Sequence, residues 1–271
     1  MNNLARELAP ISTAAWKEID AEAQRILKLK LAGRKLVDFS GPLGAAAAGV
    51  STGRRERLGT PPGPNIEASR RLTLPLVEMR VYFELSREEL DAVERGAKDP
   101  ELQAVIDAAS QMAYAEDSVI FHGYPAAGIT GIDKASMHPV LSLPQEDEGY
   151  PHAIAEATRL LRLAGVDGPY AIALGPRYYT ALTQALGDGG YPILNVVRKL
   201  VDGPLVWAPA VNGAMVMSLR GGDFELTVGT DISIGYQSHT DTTVRLYLME
   251  TMTFRVLTPE AAVALAHKDA T

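Results

Sequence analysis

The stretch DTTVRLYLMETMTFRVL, residues 241–257, decides the fold class of this chain. Side chains of a strand alternate between two faces, so residues two apart share a face. Six apolar residues fall on one such face: Val244, Leu246, Leu248, Met252, Phe254 and Val256. Only Glu250 interrupts it. The stretch therefore predicts one long strand with a buried face, and the preceding RGGDFELTVGTDISIGY, residues 220–236, predicts two shorter strands around a turn.

Helical segments come earlier in the chain. Residues 13–32 carry apolar side chains at helical spacing, and Gly33 is typical of a helix end. Ser86 and Glu89 have the spacing of a capping box at the start of a second helix. A third helix is predicted from Asp99-Pro100 to about residue 120. This part of the chain is therefore expected to be largely helical.

Residues 152–220 predict a different organisation, in which helices alternate with strands. The predicted helices are 152–164, 176–186 and 192–201, and the predicted strands are 169–174, 204–208 and 214–220. A last short helix is expected from Thr258. Long helices, long strands and a separable α/β block together predict an α+β fold.

Residues 40–74 have no helical period and are rich in Gly, Pro, Ser and Arg. They predict a long extended loop or a β-ribbon. Loops of this length are uncommon inside a compact domain unless they bind something.

The composition excludes several classes of partner. The 271 residues carry a net charge of −7, are 46% hydrophobic and include no cysteine. Nucleic-acid binding needs Lys and Arg to neutralise phosphates, so no nucleic-acid partner is expected. The absence of cysteine removes disulfides, thiolate metal ligands and cysteine nucleophiles. No stretch approaches the roughly 18 apolar residues of a membrane span, and no secretory signal is visible, so we expect a cytoplasmic protein without a membrane partner.

Few residues suggest catalysis. The five histidines form no His-x-x-x-His pair, so no metal site is expected. Gly49–Gly53, GVSTG, matches the nucleophile pattern around Ser51, but that pattern needs a following helix, and RRERLGTPPGPN does not permit one. Asp223 and Asp231 could be paired carboxylates of a metal or hydrolytic site, or turn residues of a scaffold. No catalytic residue is predicted, and a serine hydrolase or protease using Ser51 stays as the alternative function.

Three segments, RGGDFEL (220–226), DISIGY (231–236) and ETMTF (250–254), resemble the encapsulins in their identity and order. These bacterial nanocompartment shell proteins are related to linocin-type proteins and are built on the major capsid fold of tailed phages. AGRKLVDF, AEDSVIFHG and LVDGPLVWAPAV are similar as well, and the resemblance covers essentially the whole chain.

The resemblance implies a domain organisation. Residues 1–45 would form an N-terminal helix and arm, and 46–74 the extended E-loop. Residues 75–123 and 223–271 would form the peripheral domain, and 124–222 the axial domain. The loop LGDGGYP would lie at a five-fold pore, formed by Gly187, Asp188, Gly189, Gly190 and Tyr191.

The implied function is containment by a homo-oligomer. The shell would be closed and icosahedral, and a length near 270 residues suggests triangulation number one. A cargo enzyme, a dye-decolorising peroxidase or a ferritin-like iron-storage protein, would dock on the inner wall through a C-terminal targeting peptide. The resemblance places the docking residues at Arg34, Asp38, Phe39, Asp231, Ile232 and Ile234.

The resemblance also separates the two aspartates. Asp223 follows Gly221-Gly222 and is expected to be a turn residue, whereas Asp231 begins the strand at the cargo-facing wall. Some family members bind flavin through a tryptophan that would fall near Glu88, where this chain has none, so no cofactor is expected. Early members were described as bacteriocins or proteases, and no catalytic constellation in this sequence supports either activity.

Overall fold

The computed structural model describes residues 4–144, 149–187 and 190–266, and the following element bounds refer to these residues. The helices are α1 (Thr13–Lys30), α2 (Arg87–Glu94), α3 (Gln103–His122), α4 (Ile132–Ala135), α5 (Tyr150–Leu163), α6 (Pro176–Gln184) and α7 (Ile193–Val201). The strands are β1 (Asp38–Ser40), β2 (Gly49–Arg57), β3 (Ser69–Pro75), β4 (Val77–Ser86), β5 (Gly123–Tyr124), β6 (Ile129–Thr130), β7 (Leu141–Ser142), β8 (Tyr170–Leu174), β9 (Asp202–Trp207), β10 (Ala214–Ser218), β11 (Phe224–Val228), β12 (Ser233–His239), β13 (Thr243–Val256) and β14 (Ala262–Ala266).

The predicted long strand is β13, and it organises the first sheet. Antiparallel β4 pairs with one of its edges over ten consecutive residues. Its other edge pairs first with β12 and then with β11, and β1 adds to β11 in parallel. The apolar face predicted from the alternation is buried, and Glu250 is buried on it too, with no exposed surface.

Helices α1, α2 and α3 cover that face. Ser12 caps α1 by accepting a hydrogen bond from Ala15 N, and the buried positions Ile19 and Ile26 continue the helical stripe. This stripe packs with Met112 of α3 and Leu246 of β13 in one apolar cluster. The cluster therefore holds the N-terminal helix against the sheet.

Gly33 was predicted to end helix α1, but the structure gives it a different role. Helix α1 ends at Lys30, and Gly33 begins a separate turn, Gly33–Lys35, at a backbone conformation that any residue adopts. A Cβ at this position would collide with Ile120 of α3. Glycine is needed because the chain passes directly over the helix.

The second sheet has the order β7-β14-β10-β8-β9. Every residue of its central strands β8 and β10 is buried, and helices α5, α6 and α7 pack against these strands. The predicted α/β block is therefore confirmed. The division predicted from the sequence put 223–271 wholly in the peripheral domain, but β14 pairs with β10 and β7 in this second sheet.

Residues 49–75 form the β-ribbon expected from their composition. Strands β2 and β3 pair with each other as a separate two-stranded sheet, with an irregularity between Ser51 and Arg55. The residues from Gly53 to Pro62 are all exposed. None of the described helices is both long and apolar enough to cross a membrane.

The capping-box prediction is wrong. Ser86 precedes α2, but its side chain makes no capping hydrogen bond. Glu89 instead accepts a hydrogen bond from Glu101 N at 3.0 Å, across the turn that leads into α3. The carboxylate thus joins two helices, and α3 begins at Gln103 rather than at Asp99.

His122 connects the end of α3 to the segment before β10. Its Nδ1 lies 2.8 Å from Asp133 Oδ2, and its Nε2 lies 2.7 Å from the carbonyl oxygen of Ala210. A carboxylate and a carbonyl both accept, so both bonds form together only when the imidazole is protonated. The hydrogen bond to Asp133 accordingly raises the pKa of His122, although partial burial opposes this.

We predict a pH-dependent contribution of His122 to stability. Because its pKa is raised in the folded chain, the contribution is complete below the unfolded value of about 6.5 and is lost as pH rises through the folded value. The difference in melting temperature between the unmodified protein and His122→Gln should be largest near pH 5.5 and shrink by pH 9. A difference that stays constant over this range would contradict the assignment.

Candidate functional site

A groove of about 600 Å³ runs between α1 and β12. Its apolar walls are Ala23, Leu27, Leu31, Ile232, Ile234 and Leu248. Polar side chains stand at its rim: Arg6, Asp20, Gln24, Lys28, Arg34, Asp231 and Ser233. The volume lies within the range of about 300–1,000 Å³ that is common for ligand pockets. A groove with apolar walls and a charged rim suits the binding of a polypeptide segment with aliphatic side chains.

Strand β12 provides one wall because it is the outer strand of the first sheet. Its Tyr236 N donates a hydrogen bond to the carbonyl oxygen of Leu4 at 2.8 Å. The N-terminal segment is also fixed to α1, since Arg6 pairs with Asp20 at 2.7 Å and lies over the ring of Trp16. The arm therefore closes one end of the groove.

Arg34 stands at the rim and joins three carboxylates from three parts of the chain. Its guanidinium contacts both oxygens of Glu116 on α3, with the shortest distance 2.6 Å. It also contacts Glu250 of β13 at 2.7 Å and Asp231, just before β12, at 2.8 Å. Glu116 and Glu250 are fully buried, whereas 44% of the Asp231 side chain is exposed. The cluster therefore reaches the groove through Asp231.

The charges in this cluster are unequal. Burial, and next the neighbouring Glu116, raise the pKa of Glu250 above the usual range for a glutamate, although Arg34 lowers it. Burial opposes the charge of Arg34, but the surrounding carboxylates outweigh it and raise the pKa of Arg34. Three carboxyl groups thus share one guanidinium, and Asp231 is the exposed one of the three.

Asp117, next to Glu116, holds the same turn through its backbone. Its two oxygens accept hydrogen bonds from Ala32 N at 2.9 Å and Gly33 N at 2.8 Å. Burial raises the pKa of Asp117 to about 7, although these two hydrogen bonds lower it. Two adjacent acids of α3 thus fix the turn that carries Arg34.

The structure brings four of the six predicted docking residues to the groove. Arg34, Asp231, Ile232 and Ile234 line it, with Ile234 buried and Ile232 partly exposed. Phe39 lies beside the groove rather than in it, with its ring 5.2 Å from the Arg34 guanidinium.

Asp38 does not belong with this group. Its side chain accepts a hydrogen bond from Gly222 N at 2.6 Å and lines a separate pocket beside β11. The glycines 221 and 222 form a turn with positive φ, which glycine adopts readily. Asp38 therefore fastens this turn and does not reach the groove.

Asp223 and Asp231 are not a catalytic pair. Asp223 is buried and forms a bidentate ion pair with Arg220, whereas Asp231 pairs with Arg34. The two carboxylates therefore pair with different arginines. Within 4–144, 149–187 and 190–266, no cluster of three or more acidic or histidine side chains is arranged to hold a metal ion.

Ser51 lies on the exposed strand β2, where its hydroxyl accepts a weak hydrogen bond from Gly53 N at 3.2 Å. The strand continues to Arg57, so the turn into a helix that the hydrolase motif needs is absent here. In the part of the chain that the structure describes, no histidine hydrogen-bonds to this hydroxyl.

Part of the predicted pore loop is described. Gly187 N donates to Tyr191 O at 2.9 Å and Gly190 N donates to Gly187 O at 3.0 Å, which makes a tight turn with Tyr191 half-exposed. Asp188 and Gly189 lie outside the described residues. The position of this loop at a five-fold pore remains a prediction.

Comparison with known proteins identifies the family. The family model described as "Encapsulating protein for peroxidase" matches residues 1–253. The chain belongs to the encapsulin shell proteins. The type 1 encapsulin shell protein of Rhodospirillum rubrum is 52% identical over 270 residues, which cover 98% of this chain and 96% of that protein. The corresponding protein of Mycobacterium tuberculosis is 51% identical over 267 residues, which cover 98% and 100%.

Solved structures show the phage capsid fold. The virus-like particle of Pyrococcus furiosus matches with a TM-score of 0.63 at 14% identity, over 92% of this chain and 98% of that one. The structure titled "Gordonia phage Cozz" matches with a TM-score of 0.57 at 14% identity, over 88% and 86%. The α+β capsid-like fold predicted from the sequence is therefore confirmed, and this encapsulin is a structural shell protein rather than an enzyme.

Two buried residues of the site were not anticipated from the sequence. Glu250 was visible as the only acid on an apolar strand face, which signals a buried charge with a partner. Glu116 continues the buried stripe of α3 after Met112 and Ala113. An acid at such a position is a comparable signal, but the common cation Arg34 is 82 residues away from Glu116 in the sequence.

We predict that Arg34→Met destabilises this encapsulin, whereas Glu250→Gln does not. Removal of the guanidinium leaves buried carboxylates without a cation, which typically costs about 3–5 kcal/mol. Glu250→Gln keeps the shape of the side chain and an oxygen that can accept from Arg34, so it should change the free energy of unfolding by less than about 1 kcal/mol. Denaturant midpoints of the purified particles measure both effects. A midpoint for Arg34→Met equal to that of the unmodified protein would refute the role of the cluster.

Proposed function

We propose that the chain assembles into a closed icosahedral shell of triangulation number one and encloses a cargo enzyme in the bacterial cytoplasm. Membership of the encapsulin family supports the shell and the cargo. The length near 270 residues favours the smallest shell. The family description refers to peroxidase, which makes a dye-decolorising peroxidase the first candidate cargo and a ferritin-like protein the second.

The groove between α1 and β12 is the proposed docking site for the C-terminal targeting peptide of the cargo. The single observation that carries this proposal is the combination of apolar walls with the Asp231 carboxylate, whose side chain is 44% exposed at the groove. An extended peptide would bury aliphatic side chains against Leu27 and Ile232, and a basic residue would pair with Asp231. The partly exposed Ile232 is available for such contact, whereas Ile234 belongs to the core beneath it.

Arg34 has an indirect role in this proposal. It is held by Glu116 and Glu250 and is therefore not free to pair with an acidic peptide. It fixes Asp231 in place, and the proposal pairs this carboxylate with a basic residue of the peptide. Asp38 is excluded from the site because its carboxylate is used by the turn at Gly222.

The assembly is tested by particle size. Purified protein should elute as a megadalton particle and appear as closed shells of uniform diameter in electron micrographs. A monomer or dimer at micromolar concentration would refute the shell for this chain. Hydrolysis of ester or peptide substrates that disappears in Ser51→Ala would instead favour the alternative function.

The loading of a tagged cargo protein into variant particles tests the proposed docking groove. A fluorescent protein with a short C-terminal peptide rich in Gly and Leu and containing one or two Lys residues serves as the probe. Ile232→Asp should abolish co-elution of fluorescence with the particle, because an unpaired charge enters an apolar contact. Asp231→Lys should weaken it at least about tenfold, since attraction becomes repulsion.

Leu29→Asp is the matched control, because Leu29 is exposed on α1 and does not line the groove. It should assemble and load like the unmodified protein. Normal loading of both Ile232→Asp and Asp231→Lys particles would move the docking site elsewhere.

A further inference from the structure

The exposed ribbon β2–β3 carries arginines that its own chain does not neutralise. Two of its five arginines are paired within the ribbon, Arg57 with Glu67 at 2.8 Å and Arg70 with Glu56 at 2.6 Å. The other three, Arg54, Arg55 and Arg71, are exposed and have no ion pair among the described residues. The ribbon thus presents a surplus of positive charge on an acidic protein.

Two of the unpaired arginines, Arg55 and Arg71, place this positive charge at one point of the ribbon. They are directly opposite each other in the register of the two strands, so both side chains project from the same face. Like charges in directly opposite positions destabilise an antiparallel pair, and a lone two-stranded ribbon is marginal in water. The arrangement is unfavourable in the isolated subunit and becomes favourable when anionic groups cover this face.

A complementary pair stands on α2. Asp91 and Glu94 are exposed, lie one helical turn apart and have no side-chain partner among the described residues. The neighbouring acids are already engaged, since Glu88 pairs with Arg95 and Glu89 accepts from Glu101 N. Asp91 and Glu94 therefore share one helix face that offers two free carboxylates.

The two pairs also agree in spacing. Directly opposite residues of an antiparallel pair have Cβ atoms about 4.5–5.5 Å apart. Residues three apart on a helix have Cβ atoms about 5–6 Å apart. Two guanidinium groups can therefore meet two carboxylates simultaneously, each in a charge-assisted hydrogen bond.

We propose that Arg55 and Arg71 of one subunit bind Asp91 and Glu94 of a second copy of this chain, and that this contact links neighbouring subunits. Neither pair is satisfied within its own chain, and family membership supplies many copies of the same chain as partners. The proposal rests on the proposed shell. It adds the surface that the ribbon contacts and the interaction that holds it there.

Charge reversal on each side, followed by their combination, tests the contact. Arg55→Glu with Arg71→Glu should lower the yield of particles at least about tenfold, because four acidic groups then meet. Asp91→Arg with Glu94→Arg should do the same through four basic groups. The quadruple variant exchanges the two charge pairs and should recover particles.

Two controls separate assembly from folding. Arg57→Glu with Glu67→Arg exchanges a pair that is satisfied within the ribbon, and it should assemble normally. Circular dichroism of the unassembled variants should show folded subunits, since all four substituted positions are exposed.

Three outcomes would overturn the proposal. Normal particles from either double variant would show that the contact is not needed. Failure of the quadruple variant, with folded subunits, would place the counter-surface elsewhere than α2. Particles of the unmodified protein that dissociate on nuclease treatment would identify nucleic acid as the counter-ion of the ribbon. Failure of the unmodified chain to form any particle would instead refute the proposed shell itself.

Discussion

The ion cluster around Arg34 is the constraint on which the subunit depends. One guanidinium joins Glu116 of α3, Glu250 of β13 and Asp231 at the start of β12. Two of these acids are fully buried, so their desolvation is tolerated only while the cation stays in place. The backbone bonds from Ala32 and Gly33 to Asp117 hold the same turn. Helix α1 therefore leaves the sheet at one fixed point, and the groove beside it has a defined width.

This constraint also determines the charge of the groove. A cluster with equal numbers of cations and anions would leave Asp231 neutralised. Glu116, Glu250 and Asp231 instead share the one guanidinium of Arg34, and Asp231 is the carboxylate of the three that lines the groove. A buried arrangement that stabilises the fold thereby fixes an acidic side chain at the groove.

Local patterns in the sequence predicted the elements well, because each pattern depends on neighbours along the chain. Apolar spacing predicted α1 within two residues of its observed end, and alternation predicted the buried face of β13. The composition of residues 40–74 predicted the ribbon. Four of the six docking residues implied by the family resemblance line one groove.

What the sequence did not predict depends on contacts between distant segments. Glu89 has the spacing of a capping box, yet its carboxylate accepts a hydrogen bond from the backbone N–H of Glu101, beyond the end of α2. Gly33 looks like a helix stop, but Ile120 explains why glycine is needed there. Asp38 is close to Arg34 in sequence, yet its carboxylate serves a turn 184 residues away. In each case a tertiary partner competes with the local one, and local spacing carries no information about that partner.

The distribution of ion pairs separates the charges that build the subunit from those left for assembly. Arg34, Arg220 and Arg255 each pair with a carboxylate within the chain. Arg55 and Arg71 remain unpaired on a ribbon that contributes to neither core cluster. A soluble monomer would gain little by keeping two arginines directly opposite each other, since their repulsion weakens the only pairing that the ribbon has. In the proposed contact, the acidic groups of a second copy relieve this repulsion.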